Sequence, residues 1–182
     1  MALLDTHTQV STFIGGDGNG LDHAECIAWG SDGYAYAGGE AGRIYRIDLE
    51  KRSFEEFANI GDSFVGGICQ DAQYRLYVCS GDVKRIDPDG TVSIYCDHAG
   101  DTPIAVANYP VFDAAGNLYV SDSGGWLENS GLIFKIAPGG EGEVWSRELS
   151  EFPNGTAIDA AGECLSVAMS TDPGIARIKI ND

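Results

Sequence analysis

Short stretches of alternating apolar and polar residues, separated by turn-forming residues, run through most of this chain. The most regular of them alternates apolar with basic residues and recurs as RIYRID at 43–48, VKRID at 83–87, LIFKIA at 132–137 and IARIKI at 175–180. A period of two is typical of a β-strand with one buried and one wetter face. Helical periodicity is absent, so the pattern predicts an all-β fold.

A longer unit surrounds each of these strands. Its copies are WGSDGYAYAGG at 29–39, CQDAQYRLYVCS at 69–80, FDAAGNLYVSD at 112–122 and IDAAGECLSVA at 158–168. Aligned on the turn residues Gly33, Tyr74, Gly116 and Gly162, they repeat at intervals of 41, 42 and 46 residues. Such intervals are typical of the blades of a β-propeller.

Each repeat predicts four antiparallel strands, A to D, with a tight turn between A and B and the alternating stretch as strand C. The chain is therefore predicted to form one propeller domain over residues 1–182, with blades at about 22–58, 62–96, 104–148 and 152–180. The fourth repeat has no strand D. Residues 9–14, QVSTFI, have the alternation of a D strand, and we expect them to close the last blade and cover its open edge.

Composition narrows the classes of partner. The chain has 182 residues, enough for one domain, and its 11 basic against 28 acidic residues give a net charge of −17. This acidic balance argues against nucleic acid and anionic membranes as partners. The first 30 residues contain no apolar run of signal-peptide length, and the five cysteines lack metal-type spacing. We interpret these features as a cytoplasmic protein with free thiols.

Candidate chemistry lies eight positions before each aligned turn residue, where the repeats carry Glu25, Gly66, Asn108 and Asn154. A propeller brings equivalent positions together around its axis, so these positions should meet at one mouth. Carboxylate and amide oxygens suit hard divalent cations, with Ca²⁺ the first expectation and Mg²⁺ the second. Gly66 is expected to leave an open sector for water or substrate. The alternative is that these residues only satisfy backbone groups in turns.

The B strands end on the same face as the A strands begin, which adds Glu40, Ser80, Asp122 and Ser170 to the predicted mouth. Asp122 is either a catalytic carboxylate or a turn-capping residue. Trp126 either walls the pocket or packs on the neighbouring blade. His23 is either a proton carrier or a structural residue.

A family resemblance is carried by the starts of three A strands, HAECIAWGSDG, ANYPVFDAAG and FPNGTAIDAAG, and by LYVSDSGG and the IYRID strands. These stretches resemble the gluconolactonase and senescence-marker family of calcium-dependent propeller hydrolases. Strictosidine-synthase-like propellers are close in pattern. The resemblance implies that Glu25 and Asn154 ligate a divalent metal and that Asn108 lines the substrate pocket. The family is six-bladed and has a further metal-binding Asp, whereas this chain has four repeats and no counterpart of that Asp.

The expected function is accordingly a metal-dependent hydrolase that opens a lactone or related ester at the mouth. Its predicted site comprises Asp122 as the catalytic residue, the metal ligands Glu25, Asn108 and Asn154, and the substrate-binding residues Asn108, Trp126, Glu40 and His23. Two alternatives stay open. One is a non-catalytic propeller that binds a small molecule or a protein, and the other is an incomplete ring that forms a homo-oligomer through open blade edges.

Overall fold

The computed structural model describes residues 11–15 and 20–180, and this part of the chain contains β-strands and no helix. No described helix could therefore span a membrane. The strands form four antiparallel sheets in which neighbours along the chain are neighbours in the sheet, and the sheets are arranged as the four blades of a propeller. The predicted fold class is confirmed.

The first two blades have four strands each. Blade 1 consists of β1 (Cys26–Trp29), β2 (Ala35–Gly38), β3 (Arg43–Asp48) and β4 (Ser53–Asn59). Blade 2 consists of β5 (Ile68–Gln70), β6 (Leu76–Ser80), β7 (Asp82–Ile86) and β8 (Val92–Cys96). A two-stranded ribbon, β9 (His98–Ala99) and β10 (Thr102–Pro103), leads to the next blade.

Blade 3 also has four strands: β11 (Ala107–Phe112), β12 (Leu118–Asp122), β13 (Leu132–Ile136) and β14 (Gly142–Ser146). Blade 4 has three within the described residues: β15 (Pro153–Ile158), β16 (Cys164–Met169) and β17 (Gly174–Lys179). The C strands β3, β7, β13 and β17 coincide within a residue or so with the four alternating stretches of the sequence.

The turn between strands A and B has one geometry in all four blades. The aligned residues Gly33, Tyr74, Gly116 and Gly162 all have positive φ, at 89°, 64°, 85° and 73°. Glycine adopts this conformation without a steric penalty, and Tyr74 is the one non-glycine among them. Each also donates its backbone N–H to the carbonyl three residues earlier. The repeat in the sequence is thus a repeat of backbone geometry.

The core lies between consecutive blades, where facing sheets bury apolar side chains. Blades 1 and 2 enclose Tyr36, Ile44, Val65, Leu76 and Val78. Comparable clusters join blade 2 to blade 3 and blade 3 to blade 4. The inner strands β1, β5, β11 and β15 pack against one another in that order, and the described residues show no comparable packing of β15 against β1.

The expected closing strand is wrong for the part that the structure describes. Residues 11–15 form no strand, and Ile14 packs against Ala35, Ala37 and Ile47 on the outer face of blade 1. The remainder of the expected strand, Gln9 and Val10, lies outside the described residues. The outer face of blade 1 is apolar, so it gives Ile14 a site of burial that the alternation alone could not reveal.

Candidate functional site at the upper face

The strand register places the predicted site residues at one end of the molecule, called here the upper face. The start of each A strand pairs with the end of its B strand, as in Cys26 with Gly38, Ala107 with Asp122 and Pro153 with Met169. The upper face therefore carries the eight predicted positions Glu25, Gly66, Asn108, Asn154, Glu40, Ser80, Asp122 and Ser170. The turns between strands A and B and between C and D lie at the opposite end, the lower face.

Asn108 and Asn154 are held in the same way in adjacent blades. Asn108 Nδ2 donates to Ser123 Oγ at 3.0 Å, and Asn154 Nδ2 donates to Ser170 Oγ at 3.3 Å. Ser123 is fully buried and donates in turn to the carbonyl of Pro153 at 2.8 Å, which links the two asparagines across the blade interface. Each amide thus uses its nitrogen in a hydrogen bond within the described residues, so its oxygen is the atom that could serve as a ligand for a hard cation.

Glu25 belongs to a second group, with His23 and Glu40. His23 Nδ1 lies 2.7 Å from Glu40 Oε1, and His23 Nε2 lies 3.9 Å from Glu25 Oε1. The hydrogen bond to Glu40 and its negative charge raise the pKa of His23 above the ordinary value of 6.5. All three side chains are exposed. This group is the most acidic part of the predicted mouth.

Asp122 does not face open solvent. The residue is 3% exposed, its Oδ2 accepts the backbone N–H groups of Ala105 at 2.7 Å and Val106 at 3.0 Å, and its Oδ1 accepts that of Gly124 at 3.0 Å. Three amide donors in fixed positions are the arrangement of a loop-capping carboxylate. Of the two interpretations of Asp122, the geometry favours the structural one.

Gly66 does not leave the expected open sector. A Cβ at this position would lie 2.6 Å from the carbonyl oxygen of Asn108 and 3.2 Å from its Cα, closer than packed atoms approach. Gly66 N also donates to the carbonyl of Cys79 at 2.9 Å. The glycine is needed because the inner strands of blades 2 and 3 approach closely at this point.

Trp126 lies on the long loop between β12 and β13. Its ring packs edge-on against Phe152, which precedes blade 4, with 4.9 Å between the ring centroids. The residue is nevertheless 62% exposed. Packing on the neighbouring blade, one of the two alternatives, therefore occurs, and the ring still forms part of the rim of the upper face.

Two serines that the sequence did not single out as site residues organise this face. Ser121 Oγ donates to the carbonyl of Asn154 at 2.7 Å and accepts from Tyr109 N at 3.1 Å, while Ser123 holds Asn108. Both side chains are fully buried. The signal for them in the sequence is the Ser-Asp-Ser stretch at the end of the third B strand, where the other repeats have a single serine or none at the matching place.

The predicted ligands can form a calcium-type site only if amide oxygens coordinate the cation together with a carboxylate. No group of three or more His, Cys, Asp or Glu side chains able to hold a metal occurs among residues 11–15 and 20–180. A cation at the mouth would be held by one carboxylate, that of Glu25, and by the amide oxygens of Asn108 and Asn154. This oxygen set favours Ca²⁺ over transition metals.

All five cysteines are free, as expected. Cys79, Cys96 and Cys164 are buried, and Cys26 and Cys69 are half-buried. Burial raises the pKa of Cys26 to about 11 and that of Cys69 further. A raised pKa is the opposite of what a catalytic thiolate needs, so Cys26 and Cys69 are not candidates for a nucleophile.

Comparison with known proteins supports the fold. No protein-family profile matches the chain, and no curated protein is similar to it in sequence. A gluconolactonase from Xanthomonas campestris superposes with a TM-score of 0.76 at 18% identity, over 87% of this chain and 59% of that one. Virginiamycin B lyase from Staphylococcus aureus, in a complex with quinupristin, gives 0.70 at 22% identity over 87% and 52%.

A chain of the nidogen/laminin complex gives a TM-score of 0.72 at 17% identity, over 86% of this chain and 60% of that one. This chain thus spans between 52% and 60% of the length of these three structures. The similar proteins include enzymes and a protein complex, so the shared architecture does not select one activity. What the comparisons do show is that this chain has the β-propeller fold found in gluconolactonases.

Proposed function

We propose that the upper face is a calcium-dependent site that binds a lactone or related cyclic ester and opens its ring. The observation that carries the proposal is the matched pair Asn108 and Asn154, each held by its nitrogen so that its carbonyl oxygen is available. Glu25 supplies the negative charge that a dication needs, and it lies at the equivalent position of blade 1. The gluconolactonase-like fold supports the class of substrate.

Each residue has a distinct task in this proposal. Glu25, Asn108 and Asn154 hold the cation, which when bound would polarise the carbonyl of the ester. Neutral His23, oriented by its hydrogen bond to Glu40, accepts a proton from water at Nε2 while the water oxygen adds to the ester carbonyl. The ring C–O bond then breaks, and the proton held by His23 passes to the leaving oxygen. Asp122 positions the loop at 105–106 and takes no part in proton transfer, because its carboxylate already accepts three N–H groups.

Binding without turnover is the second candidate. It is favoured by the same contacts of Asp122, since the carboxylate first expected to act as the base is buried and occupied. In that case the upper face would recognise a lactone through the cation, and His23 would serve only to neutralise Glu40. The two candidates share the cation site and differ in whether product forms.

The test combines calcium binding with a hydrolysis assay. Calcium at 100 times its dissociation constant should stabilise the wild-type protein by about 2.7 kcal/mol. Glu25→Gln keeps the shape of the side chain and removes its charge, so its calcium response should be much smaller. Glu50→Gln is the matched control, because it removes the same charge from the turn between β3 and β4 on the lower face.

Initial rates over a panel of aldonolactones and simple γ-lactones, with calcium and with chelator, then separate the candidates. Hydrolysis that requires calcium and falls in His23→Gln supports the enzyme. Calcium binding without hydrolysis of any lactone leaves the binding protein. Equal calcium responses of Glu25→Gln and Glu50→Gln would disprove the site itself.

A further inference from the structure

A cavity lies at the lower face, between blades 2 and 3, away from the residues of the proposed mouth. Its volume is about 760 Å³, within the range of small-molecule sites. The turns between strands A and B and between C and D form its rim, at 70–73 and 112–116 and at 138–139. Arg75, Arg85 and Ser93 line it from blade 2.

The cavity coincides with an exception in the repeat. In blade 1 the C-strand residue Arg46 pairs across the sheet with Glu55, and in blade 3 Lys135 pairs with Glu143. Arg46 Nε donates to Glu55 Oε1 at 2.9 Å, and Lys135 Nζ lies 3.7 Å from Glu143 Oε1. The matching pair in blade 2 is Arg85 with Ser93. Blade 2 thus keeps the basic residue and lacks the cross-strand carboxylate.

Arg85 is incompletely satisfied within the described part of the chain. Its nearest acidic group is Asp87, whose Oδ1 lies 3.0 Å from Nε and whose Oδ2 accepts Nη2 at 3.3 Å. The approach to Nε is not aligned as a hydrogen bond, and Nε is a buried nitrogen without a hydrogen-bond partner. A buried donor without an acceptor is destabilising, and a carboxylate at the Nη groups would add charge-assisted hydrogen bonds to a guanidinium that Asp87 satisfies only in part.

The acidic groups of the cavity do not fill that place. Asp71 is engaged by Arg75, whose Nε lies 2.6 Å from Asp71 Oδ2. Asp113 accepts the Asn117 side chain at 2.7 Å and two backbone N–H groups. Both carboxylates serve their own hairpin turns, and Asp87 contacts Arg85 only along its Nε and Nη2 edge, so the side of the guanidinium that faces Ser93 has no cross-strand carboxylate.

The remaining wall is apolar and aromatic. Tyr77 packs edge-on against Tyr95 and Phe112, with ring centroids 4.8 Å and 4.9 Å apart. Ile94 contributes a side chain that is 62% exposed. Tyr95 is fixed because its hydroxyl donates to the carbonyl of Ala137 and accepts from Gly139 N. A rigid aromatic wall beside a guanidinium favours a ligand with an apolar ring and an anionic group.

We propose that this lower cavity binds a small aryl-alkyl carboxylate. The ligand's carboxylate approaches the Nη groups of Arg85 from the side of Ser93, the cross-strand position that Glu55 holds opposite Arg46, while Asp87 keeps its contacts with Nε and Nη2. Its ring lies against Tyr95, Phe112 and Ile94. The site is separate from the upper face, and its occupation does not require calcium.

Isothermal titration calorimetry with phenylacetate, 3-phenylpropionate and indole-3-acetate tests the proposal. Each acid is compared with its neutral amide at physiological ionic strength, where the field of the −17 charge is screened beyond about 8 Å. A hydrogen bond between two charged groups is stronger than one to a neutral amide, so at least one acid should bind about tenfold or more tightly than its amide.

Two variants place the ligand. Ser93→Glu supplies the missing cross-strand carboxylate and should abolish binding while keeping the melting temperature, because blades 1 and 3 already accommodate that pair. Arg85→Gln removes the cation and should weaken binding of the acid about tenfold or more without affecting the amide. Arg46→Gln, the same change in blade 1, is the control and should bind as the wild type does.

Three results would overturn the proposal: no saturable binding of any of the three acids, equal binding of acid and amide, or wild-type affinity in both Ser93→Glu and Arg85→Gln. A chelator should leave binding of the acid at the lower cavity unchanged, whereas it should abolish calcium binding at the upper face. The failure of one proposal is therefore distinguishable from the failure of the other.

Discussion

Asp122 gives the sharpest test of how this propeller is built. Substitution by alanine removes the acceptor of three backbone N–H groups, from Ala105, Val106 and Gly124, at a residue that is 3% exposed. Each such bond to a charged group contributes roughly 1.5–3 kcal/mol when it is fully desolvated. Ala105 and Val106 are exposed, so water can replace part of the loss, and we expect about 3–4 kcal/mol in total.

For a domain of this size each kcal/mol shifts the melting temperature by about 2–4 °C, so Asp122→Ala should melt roughly 6–16 °C lower than the wild type. Asp122→Asn keeps one carbonyl acceptor and should lose about half as much. The measurement is thermal unfolding by circular dichroism, with Asp89→Asn as the control. Asp89 is an exposed turn residue that accepts one backbone N–H, from Thr91, and its variant should melt close to the wild type.

A catalytic Asp122 would behave in the opposite way, because replacing a solvent-facing base lowers the rate and leaves the fold unchanged. If Asp122→Ala unfolds at the wild-type temperature, the structural interpretation is wrong. If Asp122→Asn is stable and abolishes lactone hydrolysis, the base is Asp122 and the role proposed for His23 is wrong.

Two further predictions follow from the upper face. Gly66→Ala should destabilise the protein strongly in denaturant unfolding, because the added Cβ would lie 2.6 Å from the Asn108 carbonyl oxygen. Gly33→Ala is the control for backbone strain without a clash, because Gly33 has a φ of 89° and open space around its Cβ position. The raised pKa of His23 means that its ion pair with Glu40 contributes stability fully below pH 6.5 and loses it as the pH rises through the raised value. Stabilisation by calcium should therefore increase over that pH window, because a proton on His23 no longer competes with the cation. Glu40→Gln should make this pH dependence weaker, and a calcium response of the wild type that does not change with pH would contradict the prediction.

The strands of the fold were predictable because their signals are local. Period-two alternation marked β3 at 43–48 residue for residue, and the turn glycines marked the hairpins through their need for positive φ. The closing strand was not predictable from alternation, since residues 11–14 satisfy the same pattern whichever blade they contact. Ile14 lies on blade 1 because an apolar surface is available there.

The site was only partly predictable, because its decisive contacts are distant along the chain. The equivalence of Asn108 and Asn154 is visible in the repeat, but their restraint by Ser123 and Ser170 depends on how the B strands end. Asp122 is bound by amides 16 and 17 residues earlier, which no local pattern contains. Gly66 appeared to be a gap in the sequence, whereas the structure fills the space with the backbone of the next blade.

The order of the sheets has a consequence for how the molecule unfolds. Every strand in the four blades pairs with its neighbours in the chain, and the described packing joins each blade to the next. Such an array behaves nearly as a one-dimensional system in which end units have one stabilising interface and inner units have two. Amide hydrogens of β6, β7, β12 and β13 should therefore exchange last, while those of blades 1 and 4 exchange through partial opening. The cation proposed at the upper face would bridge blade 1 to blades 3 and 4, so binding it would couple the ends of the array and make their opening cooperative.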